Sequence, residues 1–214
     1  MKFKSKQNKG TIIAVFIVLI VILETTMYLA TTPVPQEQFF QFYVLGSNGL
    51  AADYYPQNNP DLRINSPISW HVAVTNFMGS VQLAEVRVKL ANETISPPDN
   101  VNYAPSSAPE LTTFDQFIFD NGTWQFPFVW SITNATTAGG SVHIREIRIN
   151  NETYPISNWS ANNGYNFRLI LELWVWQTNS NMLTFGWSSG GEHHTAWLQI
   201  WFNMTSPTPP PPQV

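Results

Sequence analysis

The chain has 214 residues, a net charge of −4, only 11% charged residues and no cysteine. So few basic residues exclude the positive stripes that nucleic acid requires, and the absence of thiols excludes disulfides and thiolate metal sites. The basic residues are also unevenly spread. Lys2, Lys4, Lys6 and Lys9 crowd the N-terminus, and Lys89 is the only later lysine. From Thr31 onward six basic residues face thirteen acidic ones, 6 − 13 = −7.

Ile12 to Leu23 is an unbroken apolar run rich in Ile and Val. Those twelve residues rise about 18 Å as a helix, short of a roughly 30 Å hydrocarbon core. Extension over 11–30 reaches a full span and admits Glu24, Thr25 and Thr26 near its outer end. Threonine hydroxyls can bond back to helix carbonyls. No later run reaches eighteen apolar residues. The lysines therefore predict a cytoplasmic basic tail at 1–10, a single transmembrane anchor in membrane lipid at 11–30, and a body outside the cell membrane. Two other readings of this segment stay open. One is a cleaved signal peptide, although a cut after Ala30 places bulky Tyr28 where a small residue is wanted. The other is a pilin-like filament subunit processed after Gly10, because "KGTIIAVFIVLIV" is similar to the class III signal of archaeal pilins.

"TTPVPQEQ" at 31–38 reads as a proline-bearing stalk. The segment 39–205 reads as strands. They are 39–46, 68–76, 81–90, 112–119, 123–132, 141–149, 165–177, 182–187 and 195–203. β-Branched and aromatic residues dominate them, and Gly, Pro and Asn punctuate them. Val86, Val88 and Leu90 alternate with charged residues, and Trp124, Phe126, Phe128 and Trp130 form a second period-two series. Pro127 cannot donate to a ladder, so its strand is an edge or carries a bulge. The apolar phase of 141–149 shifts between Ile144 and Ile147, which also predicts a bulge. The expected class is all-β, an antiparallel immunoglobulin-like β-sandwich preceded by one N-terminal transmembrane helix; a barrel is the alternative. The proline-rich tail at 206–214 favours polyproline II.

Six sites read N-x-S/T: Asn92, Asn121, Asn134, Asn151, Asn158 and Asn203. That exceeds what this Ser and Thr content supplies by chance, and with export it favours N-linked glycans on surface loops. Asn92 and Asn151 rank highest, each falling just after a strand.

"FYVLGSNGLAADYYPQN" and "ISWHVAVTNFMGSVQLAEVRVKL" carry a family pattern. The residues concerned are Tyr43, Leu45, Gly46, Gly49, Ala51, Tyr55 and Pro56, then Val74, Asn76 and Gly79. This pattern resembles that of the archaeal domain of unknown function 1616, a membrane-associated extracytoplasmic family. The similarity extends weakly to about residue 128. It implies an archaeal surface protein with a sandwich domain and carries over no functional residues. Read from the residues alone, the glycines supply turns with positive φ. Tyr54 and Tyr55 pack on the sheet, and Asn76 bonds its own turn.

Candidate chemistry is sparse. Glu192, His193 and His194 are weak metal candidates, because neighbours in a strand point to opposite faces; His71 or His143 would have to join them. Asp115 with Asp120 or Glu110 offers carboxylates, and Ser188 and Ser189 precede His193, but no nucleophile elbow surrounds them. No cofactor and no enzymatic activity are expected. The aromatic excess is more informative. Trp174 and Trp176 share a strand face with Glu172, and Trp197 and Trp201 share one with Gln199. Both strands are apolar on both sides, so something must cover the tryptophans: the segment 92–111, or another protein. That segment is polar, a poor lid for indoles, so the sequence favours a protein partner or self-assembly. The expected role is a non-enzymatic archaeal cell-surface glycoprotein for envelope assembly or adhesion. A carbohydrate-binding module and an accessory subunit of a membrane complex are the alternatives.

Overall fold

The structure, a computed structural model, describes residues 9–31 and 37–206. The chain divides into a helical unit and a strand unit, with the break between Glu37 and Gln38. Residues 1–8 of the basic tail, 32–36 of the stalk and 207–214 of the proline-rich tail lie outside the described residues.

The helix α1, Lys9–Thr31, forms because a long β-branched and aliphatic run contains no proline. Its apolar stretch Gly10–Thr31 has 22 residues, about 33 Å at 1.5 Å per residue. That is long and apolar enough to cross a membrane. Its side chains are exposed all round, an arrangement that suits hydrocarbon rather than water. The threonine hydroxyls bond back as expected, Thr25 to the Val21 carbonyl at 2.7 Å and Thr31 to that of Met27 at 2.7 Å. Lys9 and Gly10, the residues of the pilin-type signal, form the first helical positions.

Among the described residues thirteen strands follow. They are β1 (Phe39–Leu45), β2 (Asp61–Arg63), β3 (Ile68–Phe77), β4 (Gln82–Ala91), β5 (Glu110–Ile118), β6 (Thr123–Ala138) and β7 (Ser141–Ile149). The rest are β8 (Glu152–Asn162), β9 (Phe167–Gln177), β10 (Met182–Phe185), β11 (Trp187–Ser189), β12 (Glu192–His194) and β13 (Trp197–Ser206). One sheet has the order β1-β3-β6-β7-β8; the other has β2-β13-β9-β4-β5, with β10 continuing beside β9. The sheets face each other across a core of period-two residues. Val72 and Val74 of β3, Val86 and Val88 of β4, and Leu169, Leu171 and Leu173 of β9 are all fully buried. Trp70 stacks on Phe128 at 5.9 Å and meets Trp130 edge-on at 5.3 Å. The architecture is thus an immunoglobulin-like β-sandwich with one N-terminal apolar helix, as the pattern predicts. One pairing is not antiparallel: β13 runs parallel to the short β2.

Pro127 shows how a central strand holds a proline. β6 lies between β3 and β7, but β7 pairs with it only from Trp130 onward. Pro127 therefore sits where β6 has a partner on one side only. The register shift expected in β7 occurs between Ile144 and Glu146. Four elements escape the sequence reading. β8 contains Pro155 and the N-x-S/T site of Asn158 and reads as a loop, yet it is an edge strand, where proline is tolerated. β2 and β12 have only three residues each. The segment expected as one strand at 182–187 breaks at Gly186, whose φ is 84°. A Cβ there would fall 1.9 Å from the His194 carbonyl oxygen.

The opening motif is structural. Gly49 has the expected positive φ of 75°, but Gly46 does not. Gly46 is needed because a Cβ would lie 2.0 Å from the Ala52 carbonyl oxygen. The Tyr54 carbonyl accepts the Trp70 indole N–H at 2.6 Å, and the Tyr55 hydroxyl donates to the Trp201 carbonyl at 2.6 Å. Burial pushes the Tyr55 phenol well above its ordinary pKa. Asn76 donates from its amide to the carbonyls of Ser80 and Ile118 at 2.8 and 2.9 Å and accepts from the Met78 N–H.

Candidate functional site

The outer face of the six-stranded sheet is built from side chains that alternate with the core residues. Register sets them in transverse rows. At one end Leu183 lies beside Trp176, and Leu83 beside Phe117. β9 and β4 bring these pairs together one step beyond the Ala84–Val175 pair. The next row holds Trp174, Glu85 and Asp115, and the third holds Trp197, Glu172, Arg87 and Thr113. Farther on come Gln199, Ile170 and Lys89, then Trp201 and Arg168.

The segment between β4 and β5 folds over the middle rows. It does so by ionic chemistry. Glu172 is fully buried and Lys89 nearly so, and they pair at 2.9 Å. Glu172 also accepts the Ser106 N–H at 2.7 Å and the Trp174 indole N–H at 3.1 Å. Lys89 donates to the Ser106 carbonyl at 2.7 Å. Arg168 donates to Gln199 at 2.6 Å and to the Ile95 carbonyl, and burial lowers its pKa. The Asn100 side-chain oxygen accepts from Trp197 at 2.6 Å and from Thr195 at 2.9 Å. Ala108 packs on Ala91 and Ile170.

A polar segment is thus an effective lid, contrary to the expectation from its composition. What it seals in the centre is a charge pair and amide donors, not bare indoles. Trp174 and Trp197 are half-buried. Arg87 lies 3.6 Å over the Trp174 ring and is itself held by Glu85 at 2.7 Å. Trp176 and Trp201 stay outside the lid, 36% and 40% exposed. The four tryptophans are not one surface: two lie at the lid and two outside it, at opposite ends. Arg168 stacks over Trp201 at 4.7 Å.

Beside Trp176 a cavity of about 590 Å³ opens at the end of the sandwich. Trp176, Leu83, Phe117 and Trp187 line it, with Gln82, Gln177, Thr178 and Asn179. The sequence reading singled out Trp176 here and missed the rest. Phe117 carried a usable signal, as the exposed member of a period-two strand, 65% exposed in the fold. The charge pair carried another. Lys89 is the lone lysine of the body, and Glu172 is the lone charge within "LILELWVW".

The other candidates fall apart. The His193 ring bonds the Phe185 carbonyl at 2.8 Å and meets Tyr103, while His194 stacks on Trp187. No group of three metal-ligating side chains occurs among the described residues. Ser188 lies 3.4 Å from His193 at an exposed hairpin. Asp120 accepts the Gly79 N–H at 2.8 Å, a turn role, and Asp115 pairs in register with Glu85. Asn134 and Asn151 are exposed, as is Asn121, whose amide donates to Asp120 at 2.7 Å. Asn92 is a correction to its ranking. It is buried, and the amide nitrogen that would carry a glycan donates to the Ser160 carbonyl at 2.7 Å. The Asn203 amide nitrogen is held by Asp61 at 2.8 Å. The side chain of Asn158 lies outside the described residues.

Comparison with protein-family models and with characterised proteins returned no match. The resemblance of residues 43–79 to the domain of unknown function 1616 thus has no family match behind it. Among solved structures the chain is similar to the CARDB domain of a Pyrococcus furiosus protein in complex with di-metal ions. That likeness has 9% identity and a TM-score of 0.37, over 80% of this chain and 99% of the other. It is also similar to a sporulation control protein of Bacillus subtilis, with 9% identity and a TM-score of 0.33, over 79% of this chain and 50% of the other. Likenesses this weak say nothing of a role; the sandwich is established by its own strand pairing.

Proposed function

We propose that this chain is a non-enzymatic surface protein. An N-terminal helix anchors it in the membrane with the basic tail inside. Its sandwich then presents a binding surface to the cell envelope, in assembly or adhesion. One observation carries this reading. The chain seals the centre of its outer sheet face with its own lid and leaves Phe117 and Trp176 of the end row exposed, 65% and 36%, beside a cavity. Exposed aromatic rows of this kind mark interaction sites, and buried tryptophans at interfaces often contribute 2 kcal/mol or more. Exposed Asn134 and Asn151 suit a glycosylated outer surface.

The test uses full-length chain in lipid nanodiscs, sedimented with envelope fragments stripped of the native protein. The double variant Trp176→Ser, Phe117→Ser should bind at least tenfold more weakly while its melting temperature stays within a few degrees of the parent. Equal binding by parent and variant would remove this row from the function.

A further inference from the structure

We infer that the cavity beside Trp176 is a binding site for a neutral, extended glycan chain. The proposal rests on the reading of that row as the functional surface, and names its ligand. Four observations converge on this chemistry.

First, the walls carry no charge. None of the residues that line the cavity is acidic or basic, in a domain whose outer face otherwise holds Glu85, Arg87 and Asp115 in the neighbouring rows. An anionic or cationic ligand would find no counter-charge there.

Second, the polar groups are amides and hydroxyls that both donate and accept. Gln177 ends β9 and Thr178 and Asn179 begin the turn after it; the first is half-buried and the other two are exposed at the cavity. A polyol satisfies such groups; an acyl chain or an apolar peptide side chain would leave them unpaired, at a cost.

Third, two aromatic residues stand two strands apart in one row of the sheet. Trp176 is on β9 and Phe117 on β5, with β4 between them. Two strand separations are about 10 Å, close to the distance between alternate units of an extended β-linked glycan. Leu83 lies low between them, half-buried, so the platform is continuous. Rings of this kind stack on the C–H faces of pyranoses while the amides reach the hydroxyls.

Fourth, the site is a partly open cavity of about 590 Å³, within the ordinary range for small-ligand sites.

The decisive experiment is calorimetric titration of full-length chain in nanodiscs with cellohexaose and xylohexaose, and with hexagalacturonate as the acidic counterpart. At least one neutral hexasaccharide should bind, the acidic one at least tenfold more weakly. Trp176→Ala and Phe117→Ala should each weaken binding at least tenfold, with unchanged melting temperatures. Gln177→Ala should weaken it several-fold without touching the aromatic platform. Two sources of such a glycan exist, an envelope polysaccharide and the sugars of a second copy. Retention of the chain on immobilised copies made with and without N-glycans, and on purified envelope polysaccharide, tells them apart. Failure of every neutral hexasaccharide to bind folded parent overturns the proposal, as does equal binding by parent and Trp176→Ala. If the hexasaccharides fail while the double variant still loses the envelope, the glycan is wrong and a protein occupies the row. If both fail, the row itself is not the site.

Discussion

The sealed centre and the bare end of the outer sheet face are built on the same strands, and they solve opposite problems. In the centre, β4 and β9 place Lys89 and Glu172 under a segment of their own chain, and each charge meets hydrogen-bond partners from two directions. At the end, the same strands carry Leu83 and Trp176, and nothing in the described chain comes down on them. The difference teaches that burial in this domain follows charge satisfaction rather than apolarity alone. The lid closes where it has partners to bond, and stops where the face turns apolar and uncharged.

The largest test of that contrast is to break the pair. Lys89→Ala leaves the Glu172 carboxylate buried without its cation, and should cost about 3–5 kcal/mol in denaturant unfolding. The double replacement Lys89→Met, Glu172→Met removes both charges and should recover most of that loss. A single-variant loss under about 1 kcal/mol would mean that the lid is held by packing, not by the ion pair.

A smaller effect is expected from acid. Asp99, at the tip of the lid, accepts from the Asn102 side chain and from the backbone N–H groups of Asn102 and Val101. These bonds hold its carboxyl below the ordinary value of 3.8. Its pKa is lower in the folded state, so its contribution is complete above that ordinary value. It is lost as pH falls through the lowered one. Hydrogen exchange at Val101 and Asn102 should speed up, relative to core amides, between about pH 5 and about pH 2. The Asp99→Asn variant should abolish the pH dependence. Unchanged relative protection in the parent would show that the carboxylate does not organise the turn.

The smallest expected effect sharpens the other side. Trp176→Ser removes an indole that lies outside the lid and is 36% exposed, and should shift stability by no more than about 1 kcal/mol. A loss of about 2 kcal/mol or more would show that the end row is structural.

Much of this architecture is legible in the sequence, and the reasons for the exceptions are physical. β4 and β6 announce themselves by period-two apolarity, and β3, β9 and β13 by runs of β-branched, aliphatic and aromatic residues, all of them local signals. β8 does not, since an edge strand needs fewer apolar residues and accepts Pro155. The lid was legible as one of two candidates, the segment 92–111, but what holds it down was not. Lys89 and Glu172 are 83 positions apart, so composition could show a lone lysine and a lone glutamate but not that they meet. The same holds for the cavity: Trp176 stands out by itself, whereas Leu83 and Phe117 become its neighbours only through register.

The parallel pairing of β13 with β2 has a consequence in time. β13 is inserted between β2 and β9, so the six-stranded sheet keeps a gap until the farthest of its strands along the chain arrives. The contacts that close it join segments separated by most of the domain, such as Asn203 with Asp61. Topology of this kind folds slowly, because loop closure must be met before the contacts reward it. Until β13 docks, the Asn203 amide nitrogen lacks the Asp61 carboxylate that holds it in the fold. Once Asp61 holds it, a modifying enzyme finds the position occupied. Sugar on Asn203, wherever it is found, would therefore be a record of how long the chain waited to close.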